Sequence, residues 1–172
     1  MAKVDELVIN YAVYEDATEY MGTTEATLPD LEFMAEELSG AGIAGNVEEI
    51  IIGHLNAMTT TLNFRTVGKA AVKLMEPRVH NLDLRVAQQQ MDMRTSTTNV
   101  AAVKHIMKVK PKKTALGKVA AASTADVSGE YAVSYYAMYL DGQKVTEIDP
   151  LNFICLINGK DYLADVKRAL GK

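Results

Sequence analysis

Gly40-Ala41-Gly42-Ile43-Ala44-Gly45 matches G-x-G-x-x-G, the spacing that lets a backbone close on a pyrophosphate. A dinucleotide site also needs a strand before the motif, a helix after it and an acid about 20 residues on. Here a helical-looking segment precedes it, an apolar strand-like run follows, and Asn63 and Arg65 stand where the acid belongs. The glycines read instead as permission for positive φ and close backbone approach, which an arm lying flat on another molecule requires. A dinucleotide-binding enzyme is the alternative. His54, His80 and His105 lack the paired spacing of metal ligands. No Ser or Cys has a nucleophile-elbow setting. Cys155, the only cysteine, sits between Ile154 and Leu156 and reads as a buried thiol. No catalytic, cofactor-binding or metal-binding residue is expected. Lys104, Lys108, Lys110, Lys112, Lys113 and Lys118 read as a solvated strand edge and loop, or as phosphate contacts of a nucleic-acid-binding barrel. Tyr131, Tyr135, Tyr136 and Tyr139 read as core and interface residues rather than stacking platforms.

Most of the elements that must position these residues are strands. Leu7 to Tyr14 alternates with both faces apolar, so a strand covered on both sides is expected. A turn at Glu15-Asp16 leads to a second strand from Tyr20 to Leu28, closed by Pro29. Asp30 would cap a short helix over Leu31 to Leu38 that puts Leu31, Met34 and Leu38 on one face, with Ser39-Gly40 as its stop. Further strands are expected near Ile50 to Gly53, at Ala57 to Thr66, from Leu82 to Met91 and at Val100 to Lys110. Val67 to Met75 reads as a helix, and Pro111 to Gly129, poor in large apolar residues, as a mobile loop. Tyr131 to Leu140 and Lys144 to Ile148 form a hairpin through Asp141-Gly142. Leu151 to Ile157 reads as a buried run and Asp161 to Leu170 as a helix with Tyr162, Val166 and Leu170 inward. Seven or eight strands with two or three short helices make a mainly β fold, a β-sandwich or barrel.

At 172 residues the chain fits one domain, long enough to bury its own core. No apolar run approaches the ~20 residues of a membrane span, and residues 1–10, with one lysine and two acids, do not read as a signal peptide. The net charge of -4 hides an asymmetry. Residues 1–50 hold twelve acids and one base, whereas residues 51–172 hold ten acids and seventeen bases. That is either scattered solvated charge or self-complementarity, an acidic surface of one copy meeting a basic surface of the next.

Tyr20-Met21-Gly22, Leu28-Pro29-Asp30-Leu31 and the glycine run at 40–45 stand in one order with Asp141-Gly142, Glu147-Ile148-Asp149, Asn152, Ile157-Asn158-Gly159 and the closing Leu170-Gly171. In that order and spacing the chain resembles the major tail tube proteins of contractile-tailed bacteriophages and R-type bacteriocins. Residues 67–129 carry no signature of that family. The resemblance implies a fold like the tube protein of type VI secretion, hexameric rings stacked into a hollow conduit inside a contractile sheath, and no catalysis or cofactor. It implies as partners further copies of the chain, a sheath protein, and baseplate and tail-terminator proteins. DNA would pass transiently in a phage, and no stable membrane association is expected. The location would be a virion tail or bacteriocin particle assembled in the host cytoplasm. A secretion-like injection device is the alternative. Residues 28–53 are then an inter-subunit arm, with Leu28, Asp30, Leu31, Met34, Leu38, Gly40, Ala41, Gly42, Ile43 and Gly45 as its self-assembly interface.

Overall fold

The computed structural model describes residues 3–172. Strand covers 58% of the chain and helix only 8%, so the class is mainly β, and the sheet folds into a sandwich-like body rather than a closed barrel. The strands are β1 (Lys3–Glu15), β2 (Glu19–Tyr20), β3 (Glu25–Thr27), β4 (Phe33–Leu38), β5 (Val47–Leu55), β6 (Met58–Phe64), β7 (His80–Asp92), β8 (Thr97–Ala115), β9 (Val127–Leu140), β10 (Gln143–Asp149), β11 (Ile154–Ile157) and β12 (Lys160–Asp161). Two short helices, α1 (Lys69–Lys73) and α2 (Ala164–Ala169), and one 3-10 turn (Pro150–Asn152) complete it.

The main sheet runs β12-β11-β10-β9-β8-β7-β1-β2, all neighbours antiparallel. It branches at β9. Val127 to Val133 pairs with β6, whereas Tyr136 to Leu140 pairs with β10. A register shift against β8 falls between these halves, between the pairs at Tyr135 and Val133. A bulge bends and twists its strand, which lets one strand feed two directions of sheet. Between the folded layers lie Val13, Leu82, Leu84, Met107, Val109 and Tyr131 from the long strands, against Met58, Leu62 and Phe64 of β6 and Leu74 beside α1.

Several expectations need correction. The single strand over 20–28 is two, broken at Gly22, whose φ is +60°. The loop at 111–129 is shorter, because β8 continues through Pro111 to Ala115 and β9 starts at Val127. Of the run 151–157 only Cys155 is fully buried, and Leu151 is 79% exposed. The closing helix α2 has no buried residue of its own; the buried side chain is Leu163 at its N-cap, while Tyr162 and Leu170 are exposed. The first strand is not covered on both sides. Register shifts at Glu6 and Ile9 interrupt its alternation, and Leu7, Val8 and Ile9 are all exposed.

One buried charged cluster ties the far end of β1 to the body. Tyr11, Val13 and Glu15 alternate inward, so Glu15 occupies a core position and is fully buried. His80, also fully buried, brings its Nδ1 to 2.6 Å from Glu15 Oε1 and its Nε2 to 3.0 Å from the Glu76 carbonyl. Arg78 Nη2 donates to Glu15 Oε1 at 2.9 Å, and Lys73 Nζ lies 3.0 Å from Oε2. Burial pushes the Glu15 carboxyl up, but the hydrogen bonds from His80, Lys73 and Arg78 outweigh it and leave its pKa below the ordinary 4.5. Strand, helix and turn are thereby held at one carboxylate.

Replacing Glu15 with Gln should lower stability at neutral pH by about 3 kcal/mol, the scale of breaking a buried ion pair. Because the folded pKa lies below 4.5, the stabilisation is complete above that pH and is lost as pH falls through the folded value. Urea denaturation should therefore show the gap between wild type and variant closing in acid. A constant gap would mean that Glu15 does not carry it.

Candidate self-assembly site

Residues 33–55 form a two-stranded sheet of their own. The pairs are Phe33 with Leu55, Ala35 with Ile50, Glu36 with Glu49, Glu37 with Glu48 and Leu38 with Val47. The helix expected over Leu31 to Leu38 is therefore strand β4 from Phe33 onward. One short helix is marginal alone, and Asp30 caps nothing. The segment Val47 to Ile52, with β-branched Val47, Ile50, Ile51 and Ile52, instead supplies a partner strand. At about 3.4 Å per residue β4 is about 20 Å long.

The ribbon's root is fixed and its outer part is free. Leu28, Phe33 and Leu55 pack against the core, and the Asn56 amide donates to the Glu32 carbonyl at 2.8 Å. Gly53, with φ +69°, lets β5 pass the buried Leu163; a Cβ there would stand 2.4 Å from Leu163 Cδ2. Beyond the root, residues 34–50 are exposed without exception. One face carries Met34, Leu38 and Val47 around the Glu36–Glu49 pair, and the other carries Ala35 and Ile50 beside the Glu37–Glu48 pair. Like charges directly opposite cost about 0.2–1 kcal/mol per pair, and an isolated hairpin is marginal in water. Two apolar faces and two opposed acid pairs thus describe a surface that lacks its partner.

The tip explains part of the glycine motif. The Ile43 amide donates to the Gly40 carbonyl at 3.2 Å, closing a turn in which Gly42 takes φ +94° at the third position. That position demands glycine. No helix follows, so the motif does not have the geometry of a dinucleotide site. Met34, Leu38, Gly40, Ala41, Gly42, Ile43 and Gly45 lie along the exposed ribbon, and Asp30 and Leu31, also exposed, lead into it. Leu28 lies at the root, half-buried against its own core. Sequence reasoning left out Val47, Ile50, Ile51 and Ile52 of β5, although Ile50 is 55% and Ile52 64% exposed. Three consecutive isoleucines necessarily show both faces of a strand, and that was the available signal.

A second open surface is the outer side of β1, where β2 pairs only with Tyr14 and Glu15. From Lys3 to Ala12 no strand lies beyond it among the described residues. The remaining candidates are structural. His105 is buried with its Nδ1 2.9 Å from the Tyr136 hydroxyl, and burial pushes its pKa down and that of Tyr136 up to about 12. Burial also raises the Cys155 thiol, so it stays protonated. Among the described residues no cluster of His, Cys, Asp or Glu could hold a metal ion.

The family model for phage tail tube protein FII matches residues 5–171. No curated protein matches. Among the solved structures that share the fold are two tube terminators. One is the sheath/tube terminator of the PVC extracellular contractile injection system, 10% identical, with a TM-score of 0.54 over 79% of this chain and 97% of that one. The other is the tube-terminating cap of the anti-feeding prophage, 16% identical, with a TM-score of 0.55 over 81% and 94%.

Root and ribbon should respond differently to substitution. Gly53→Val combines a left-handed φ with a clash against Leu163, so urea denaturation of the unassembled subunit should show a loss of about 2 kcal/mol or more. Ile52→Ser, on the open ribbon, should stay within about 0.5 kcal/mol of wild type. Equal effects would mean that the ribbon is packed on its own body.

Proposed function

The chain belongs to the phage tail tube protein FII family, and on that premise we propose that it is the repeating subunit of an inner tail tube, with hexameric rings stacked into a hollow conduit. It is a structural protein of a particle tail, not an enzyme. The observation that carries the reading is the β4–β5 ribbon, apolar on both faces and uncovered by its own chain. Copies of the same subunit supply that cover. Each medium or large apolar side chain so buried contributes roughly 1.5–3 kcal/mol, so a few anchors per arm suffice to hold a ring to its neighbour.

The open edge of β1 has the complementary role. Unpaired edges invite strand addition, and in a ring each such edge meets the next subunit's sheet until the circle closes. The sheets then surround a lumen, which a single open sheet cannot do. The sheath lies outside this tube, baseplate and terminator proteins bound its ends, and assembly takes place in the host cytoplasm. The parent particle is a phage tail, a bacteriocin or a secretion-like injector. In the first, DNA passes through the lumen.

The likeness to two terminator structures favours one other reading, a cap that forms a single ring and does not stack. Negative-stain microscopy of the purified protein separates the two: long tubes with a central hole are expected, whereas isolated rings would assign the chain to the cap. Replacing Gly42 with Val should strain the tip by about 1–2 kcal/mol while the body keeps its fold by circular dichroism, and it should block tube growth. Normal tubes from that variant would remove the tip from the contact.

A further inference from the structure

The arm has no cation of its own. Residues 28–57 contain six acids and neither Lys nor Arg. None of Asp30, Glu32, Glu36, Glu37, Glu48 and Glu49 forms an ion pair among the described residues. Glu36 and Glu49 are a cross-strand pair, about 5 Å apart at Cβ, so one compact double negative charge sits between Met34, Leu38 and Val47.

The body carries the converse. On the solvent-facing side of β8, Lys104, Lys108 and Lys110 alternate with the buried Val103, His105, Met107 and Val109. Of the neighbouring cations, Arg85 is matched with Asp83, Lys112 with Glu130 and Lys144 with Glu147, whereas Lys113 further along β8 also has no ion pair among the described residues. Lys104, Lys108 and Lys110 have no acid partner among the described residues. Two of them are braced over aromatic rings of β9, with Lys104 Nζ 5.4 Å from the Tyr139 centroid and Lys108 Nζ 5.2 Å from that of Tyr135. Bracing of this kind holds an ammonium in place without neutralising it. Ile106, half-buried, lies between the two on the same side.

We propose that the Glu36–Glu49 face of one copy's arm docks on the Lys104–Lys108 strip of β8 in a second copy, with the apolar flanks of the pair lying over Ile106. The inference rests on the tube reading and adds to it the surface that receives the arm. A nucleic acid would satisfy the lysines but would leave the opposed glutamates unanswered, whereas a second copy answers both. The contact is heterologous, since arm and strip are different surfaces, and such contacts propagate rather than stop at a dimer.

The test is a charge swap. Glu36→Lys with Glu49→Lys, and separately Lys104→Glu with Lys108→Glu, should each keep the wild-type melting curve and circular dichroism spectrum. Each should raise the concentration needed for assembly at least tenfold, measured by sedimentation and negative stain. The four substitutions in one chain should restore tubes, and so should mixing the two half-swapped proteins. Half-swaps that assemble at the wild-type concentration overturn the contact. So does a folded four-fold variant that stays unassembled. Wild-type protein that forms no tube at any concentration overturns the tube reading beneath it.

Discussion

A two-stranded ribbon with apolar side chains on both faces has no satisfactory place in water. Its backbone ladder satisfies the polar groups between the strands and does nothing for the faces. In an ordinary sheet one face lies on the core; here neither does beyond the root at Phe33 and Leu55. Part of the chain's apolar surface is therefore left unburied on this ribbon. The ribbon is anchored to the body at its root, through Phe33, Leu55 and the passage of Gly53 over Leu163.

The root shows how the holding is achieved. Gly53 removes the one side chain that would collide with Leu163, so β5 runs close over the C-terminal segment before it leaves the body. The arm is thus coupled to Leu163, which sits in the same core as Cys155 and Ile148. The Glu15–His80–Arg78–Lys73 cluster fixes where β1 turns, and with it the line along which the open edge runs. A subunit whose contacts are edge and arm needs both to leave the body at fixed angles. Buried charge and a glycine against a leucine are two physical means to that end.

The sequence made the body more legible than the arm, for a physical reason. Met58, Thr60, Leu62 and Phe64 alternate because one face of β6 is buried, and the structure buries all four. The same logic placed Val103, Met107 and Val109 inward and set the Asp141-Gly142 hairpin. It failed where apolar residues stay exposed in the single chain. Leu31, Met34 and Leu38 fit a helical stripe, and nothing local contradicted that reading; only the pairing with Val47 and Ile50, apparent once β5 is seen, makes the segment a strand. Apolar residues on both faces of β1 predicted cover on both sides, yet the subunit leaves Leu7, Val8 and Ile9 bare. Glu15 and His80 were readable in principle, because each stands at an inward position of an otherwise apolar alternation.

The sign of the charge on the arm also solves a problem of specificity. A sticky ribbon with apolar faces would pair most readily with another ribbon of the same kind, and arm-to-arm pairs would consume subunits without building anything. Two arms that approach each other bring glutamate pairs against glutamate pairs, and like charge brought together with loss of water is strongly disfavoured. On the proposed contact, the lysines of β8 in the body would draw an arm there instead. Repulsion against the wrong partner and attraction to the right one then come from the same side chains. Residues 28–57 hold six acids and no Lys or Arg, whereas the rest of the chain holds sixteen acids and all eighteen bases, the division a protein needs if its most exposed hydrophobic element is to ignore its own likeness and find a different surface of the same molecule.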